Sequence, residues 1–126
     1  MQTIIIGSVA VIQCQSPLIT GAKSALDLMA SIRYEHHVTS IAIDKAAFSE
    51  DFFVLSTGMA GEILQKFVTY QMKLAIIGDY SNYTSKPLRD FMYESNKGSH
   101  IFFVATRDEA MVKLMGVADD KRNGER

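Results

Sequence analysis

Two groups of residues in this chain carry types and spacings that could do chemistry. The first is Ser56-Thr57-Gly58 with Gly61 three positions on, two hydroxyls and two glycines at the start of what reads as an amphipathic helix. The first turn of a helix leaves N–H donors unpaired and concentrates partial positive charge, so such a stretch can hold an anion or meet a partner. Thr57 is the candidate phosphoacceptor: added charge there either bonds to nearby amides or repels an acidic partner. The second group is Asp44, Asp79, Lys86 and Arg89. Both aspartates close strand-like runs, and the carboxyl edge of an α/β sheet is where small ligands sit. Part of this gathering has a simpler origin, since Lys86 and Asp90 stand four apart and can pair on one helix face.

Other chemistries find no support. An enzyme needs a nucleophile beside a base, a paired acid and base, or a metal set. His36, His37 and His100 fall at the ends of elements, and adjacent histidines cannot both face one metal from a helix or a strand. A cation near a helix C-terminus is favourable, so His36 and His37 read as solvent-exposed or C-capping histidines. Ser56-Thr57-Gly58 lacks the lysine and spacing of a phosphate-binding loop, and Gly-x-Ser-x-Gly is absent. No catalytic residue, metal or cofactor is therefore assigned. The single cysteine, Cys14, excludes an internal disulfide and reads as a half-buried thiol.

The bulk properties frame these groups. With 126 residues, 48% hydrophobic and 21% charged, the chain is expected to form one domain over residues 1–116. Residues 117–126 are polar, have almost nothing to bury, and read as a disordered tail. The net charge of −1, with both signs interleaved, leaves no footprint for nucleic acid. No secretory signal and no run long enough to span a membrane is visible, so a cytoplasmic protein is expected.

The elements that must position the two groups follow in order. Thr3–Ile6 and Val9–Cys14, joined by Gly7-Ser8, predict a hairpin with a type II′ turn, because glycine takes φ > 0 without a Cβ clash. Ser24 is expected to cap a helix that buries Ala25, Leu28, Met29 and Ile32. Ser40–Asp44 reads as a core strand, and the crowded Ala46–Leu55 as a single turn that tucks its aromatics under the sheet. The helix opened by Ser56 should bury Ala60, Ile63, Leu64, Phe67 and Val68. Its two glycines cost about 1 kcal/mol each, which implies that a strand, a ligand or a partner comes close to the backbone. Lys73–Asp79 is apolar on both faces and so central and parallel. Ser85 and Pro87 open a further helix, which Asn96-Lys97-Gly98 should end in a left-handed cap. Ile101–Val104 is the last strand, and Thr106 caps the last helix.

The order ββαβαβαβα predicts an α/β sandwich: a mixed sheet of four or five strands after an N-terminal hairpin, with helices mainly on one face. This order resembles the STAS fold of bacterial anti-sigma factor antagonists over nearly the whole chain. In that family a strand ending in aspartate precedes an Asp-Ser-Ser-Gly segment whose second serine is phosphorylated. Asp44 and Leu55-Ser56-Thr57-Gly58 correspond, which implies Thr57 as the acceptor; Leu55 replaces the aspartate, and extra residues separate Asp44 from the helix. A second resemblance is closer in residues. Phe52-Phe53, Thr57-Gly58, Ala60-Gly61-Glu62-Ile63-Leu64-Gln65-Lys66-Phe67, Ala75-Ile76-Ile77-Gly78-Asp79, Ser85-Lys86, Leu88-Arg89-Asp90-Phe91 and Glu94-Ser95-Asn96 look like the bacterial domain of unknown function 4180 family, up to Met115. That likeness implies a small bacterial cytosolic protein and leaves the chemistry open.

The functional expectation is a non-enzymatic regulatory or protein-interaction module. Its regulatory partner would meet the helix opening at Ser56 and the loop from Asp79 to Ser85. The alternative is a small polar ligand binder or weak enzyme using Asp44, Asp79 and Arg89. A third reading, a homodimer, rests on Phe52, Phe53, Tyr80 and Tyr83 as outward-facing aromatics; the same four residues suit a core position equally.

Overall fold

Five runs of β-branched and aromatic residues become the strands of one sheet. In the computed structural model, which describes residues 1–116, they are β1 (Gln2–Ile6), β2 (Val9–Gln13), β3 (Ser40–Asp44), β4 (Lys73–Ile77) and β5 (Ile101–Val104). Helices α1 (Ala22–His36), α2 (Met59–Thr69), α3 (Lys86–Lys97) and α4 (Arg107–Met115) alternate with them. Three 3-10 turns, Lys45–Ala47, Glu50–Phe53 and Leu55–Thr57, fill the stretch between β3 and α2, where a single turn was expected. The tail 117–126 lies outside the described residues.

The strands lie in chain order, β1-β2-β3-β4-β5, with β1 antiparallel to β2 and the remaining pairs parallel. Ile6 faces Val9 across a two-residue turn in which Gly7 has φ 60° and Ser8 does not have positive φ, the sign pattern of a II′ turn. Each parallel pair needs a crossover, and α1, α2 and α3 supply them.

Alternation along each strand sorts the apolar residues into two layers. Ala10, Ile12, Ile41, Ile43, Leu74, Ile76, Ile101 and Phe103 pack with the buried faces of α1, α2 and α3. Their neighbours Val9, Val11, Ala42, Ala75, Phe102 and Val104 face the other way, where among the described residues they meet Ala110 and Leu114 of α4, with Met111 at the margin. Three helices on one face and one on the other make the α/β sandwich. No described helix is long and apolar enough to cross a membrane.

Several local expectations change in the fold. Ser24 is the third residue of α1, not its cap: its hydroxyl accepts from the N–H groups of Thr20 (2.9 Å) and Gly21 (3.2 Å). A serine can accept from amides two or three residues ahead as a cap, or from amides three or four residues behind as the third helical residue, and local sequence does not separate the two. Val68 is 43% exposed, because eleven residues of α2 give a stripe only wide enough for Ala60, Ile63, Leu64 and Phe67. Gly98 is extended (φ −85°, ψ −160°) and not left-handed, so α3 ends without that cap. Asn96 serves elsewhere. Its amide accepts the Phe103 N–H (2.6 Å) and donates to the Phe103 carbonyl (3.1 Å), closing the outer edge of β5. Ser85 and Thr106 do cap α3 and α4, accepting from Leu88 (3.4 Å) and Glu109 (3.1 Å). His37 takes the left-handed cap of α1 at φ 58°.

Candidate functional site

The stretch from Ser56 to Gly61 is built differently from its expected form. Ser56 and Thr57 belong to the last 3-10 turn, Gly58 turns left-handed at φ 78°, and α2 begins only at Met59. The Thr57 hydroxyl sits at the junction: it donates to the carbonyls of Asp51 and Val54, both at 2.8 Å, and accepts the Met59 N–H at 3.2 Å. It therefore ties two 3-10 turns to the helix while the residue itself remains exposed. Below it the Phe52 and Phe53 rings are inside, 1% and 5% exposed, which is why the turns cannot unroll into a longer helix.

The two glycines were expected to mark a close approach to the backbone. Among the described residues there is none: apart from the local backbone, no atom lies within 4 Å of the place a Cβ would take at Gly58 or at Gly61. Gly58 is explained by its positive φ, which other residues adopt at a cost. Gly61 has helical geometry and open space, and nothing among the described residues accounts for it.

The charged set is divided. Asp44 lines an open cleft of about 480 Å³ with Gln2, Gln13, Cys14 and Gln15, toward the β1 side of the sheet. Arg89 lines another, of about 440 Å³, with Tyr80, Ser81, Asp90 and Tyr93. Lys86 pairs with Asp90 at 2.8 Å on an exposed face, and Arg89 donates to the Tyr83 carbonyl at 3.1 Å. Asp79 accepts the Ser81 N–H at 2.9 Å. That bond, the Ser81 hydroxyl and the nearby Lys45 charge hold its carboxyl below the usual value. Asp44 and Arg89 thus do not share one pocket. The Cys14 thiol, half-buried as expected, donates to the Ser16 carbonyl at 3.1 Å.

Lys45 is the residue that sequence reading missed. It follows Asp44 at the carboxyl end of β3, half-buried, and its ammonium donates to the Tyr83 hydroxyl at 3.2 Å. The same Nζ stands 4.9 Å from the Tyr83 ring centre and 5.8 Å from that of Phe53, within reach of both π faces. No carboxylate among the described residues lies within ion-pair distance of it. Tyr80 completes the cluster and donates to the Ile76 carbonyl; burial, with Tyr83 adding to it, pushes its phenol above the usual value. The one signal available was positional: a lysine directly after a strand, at the edge where ligands bind.

Of the two positions open to these aromatics, Phe52 and Phe53 take the core, and Tyr80 and Tyr83 are half-buried. Phe48, Phe52, Phe53, Tyr83, Tyr80, Phe103 and Phe91 form a continuous chain of ring contacts with centroids 4.7–6.4 Å apart. They fix the 3-10 turns and the Tyr80–Tyr83 loop to the sheet. Among the described residues no group of three His, Cys, Asp or Glu side chains could hold a metal ion.

No curated protein and no solved structure matches the chain. A family model does match: Domain of unknown function (DUF4180), over residues 6–114. That span runs from the end of β1 to the last turn of α4 and contains both candidate groups, so the chain belongs to the DUF4180 family.

Proposed function

We propose that this protein is a regulatory or protein-interaction module whose partner seats on the Ser56–Gly61 junction, in the manner of anti-sigma factor antagonists. The observation that carries the reading is Gly61. A glycine inside an exposed helix costs about 1 kcal/mol relative to alanine, and no internal neighbour needs the missing Cβ. Close approach from outside supplies the need. Thr57 lies one turn before it, with its hydroxyl proton shared by two carbonyls. Phosphorylation replaces that proton with acceptor oxygens facing acceptor carbonyls, which opens the turn and moves the surface a partner would touch.

The test is a capture experiment from native lysate with wild type, Thr57→Glu and Gly61→Ala as baits, read by mass spectrometry. Gly61→Ala should raise stability by about 1 kcal/mol and still lose the partner that wild type holds. Thr57→Glu should lose the same partner with the sheet intact by circular dichroism. Retention of one partner set by all three baits would overturn the reading. A second reading, a small polar ligand, draws support from the Arg89 cleft and the unpaired Lys45 ammonium. It would gain if the baits captured nothing while a metabolite raised the melting temperature of wild type but not of Arg89→Ala.

A further inference from the structure

The two edges of the sheet are treated differently. At β5 the Asn96 amide occupies the outward N–H and carbonyl of Phe103, a side-chain substitute for a neighbouring strand. At β1 the described residues supply nothing comparable. The strand reads Gln-Thr-Ile-Ile-Ile, without charge, proline or bulge, and Ile4, Ile5 and Ile6 are 37%, 39% and 37% exposed. Charges, prolines and bulges are the devices that keep an edge strand from pairing with another chain.

The backbone of β1 also fixes what it can pair with. The two-residue turn makes Ile6 and Val9 a mutually hydrogen-bonded pair, and alternation then makes Ile4–Val11 and Gln2–Gln13 the others. The N–H and carbonyl groups of Thr3 and Ile5 are left pointing away from the sheet. Thr3 and Ile5 are symmetric about Ile4. A second β1, antiparallel and related by a two-fold axis through Ile4, places Thr3 opposite Ile5 and Ile5 opposite Thr3. All four outward groups of each copy are then satisfied, using strand residues alone. The faces agree as well. Ile4 shares its face with Val11, on the side covered by α4, which reaches chiefly β3, β4 and β5. The two Ile4 side chains would therefore meet directly opposite each other on the part of that face the described residues leave open.

We infer that β1 is the docking edge for a second copy of this chain, giving a continuous ten-stranded sheet about a two-fold axis at Ile4. The strand is about 17 Å long, so it buries a few hundred Å² per copy, below the ~800 Å² per partner of a standard interface. The dimer is accordingly weak and forms at high micromolar concentration. It lies across the sheet from the Ser56–Gly61 surface and does not depend on it.

Sedimentation equilibrium of the full chain tests this. The weight-average mass should rise from 14.0 kDa toward twice that value between about 10 μM and 1 mM. Ile4→Lys sets two like charges opposite each other, and Ile5→Pro removes a donor that only the second copy uses. Both should stay at the mass of a single chain throughout, with an unchanged circular dichroism spectrum. In a Cys14→Ser background, Ile4→Cys should form a covalent dimer on oxidation. Ile6→Cys should not, because in this register the two copies of residue 6 are about 14 Å apart. A wild type that remains at single-chain mass at 1 mM overturns the inference. So does dimerisation of both variants at wild-type strength, or cross-linking at position 6 as readily as at position 4. Should either substitution unfold the chain, the contrast between positions 4 and 6 decides alone.

Discussion

Lys45 and Gly78 show how one residue type is dictated by another far away in sequence. Asp44 pairs with Ile77, so the residues that follow, Lys45 and Gly78, leave adjacent parallel strands side by side. A Cβ at position 78 would lie 2.7 Å from the Lys45 Cβ and 3.1 Å from its Cδ and Cε. The lysine stem runs across the bare glycine, and that path delivers the ammonium to Tyr83 and Phe53. Gly78→Ala should cost about 1–3 kcal/mol, the usual range for overpacking, measured by urea denaturation. Because the closest contact is with Cβ, Lys45→Ala should not rescue it, whereas Lys45→Gly should recover most of the loss. A Gly78→Ala protein as stable as wild type would show that the two strand ends part freely, and that the bare glycine does not set the path of the lysine.

At the scale of elements, the edge strand β5 is held by a helix as well as by β4. Asn96, in the last turn of α3, binds the Phe103 backbone on both sides, while Phe91 sets its ring edge-on to Phe103 at 6.1 Å. Asn96→Ala deletes two hydrogen bonds and leaves a half-buried N–H and carbonyl without partners, so it should destabilise by about 1–3 kcal/mol. Amide exchange at Phe103 should rise more than at any β4 position; equal exchange would mean water serves the edge as well as the asparagine. Elements of this kind divide what is readable in advance from what is not. The strands, the II′ hairpin and the Ser85 and Thr106 caps follow from local patterns, because branching, proline and a hydroxyl three residues before a free amide act within one turn. The start of α2 does not, since Ser56 and Thr57 suit a cap and a 3-10 turn equally. Only the burial of Phe52 and Phe53 decides between them. Asn96 looked like a helix end because asparagine tolerates the left-handed conformation, and its true partner is seven residues on in another element. The path of Lys45 is hidden for the same reason: the glycine that makes room for it follows another strand.

The whole molecule is a sheet with unequal layers, and its cooperativity should reflect that. Among the described residues, twenty-five buried ones join the layer of α1, α2 and α3, against eight in the layer of α4. Only Ala110 and Leu114 anchor α4 with buried side chains. Sub-global opening follows the part of a structure with least apolar contact, so α4 is the unit expected to open first. Leu114→Ala removes the larger anchor. Truncating a buried leucine costs about 2–5 kcal/mol where the remaining structure must keep its place around the cavity. Here the helix can lift away instead, exposing Val9, Val11 and Ala42 on the sheet's thin side. The expected result is a loss near the lower end of that range. Hydrogen exchange should show α4 amides losing protection while β3 and β4 keep theirs. Ile63→Ala, in the thick layer, should instead lower protection across α2 and the central strands together and cost more. If Leu114→Ala lowered protection uniformly, the two layers would be one cooperative unit, and the thin layer would be as much a part of the folding core as the thick one.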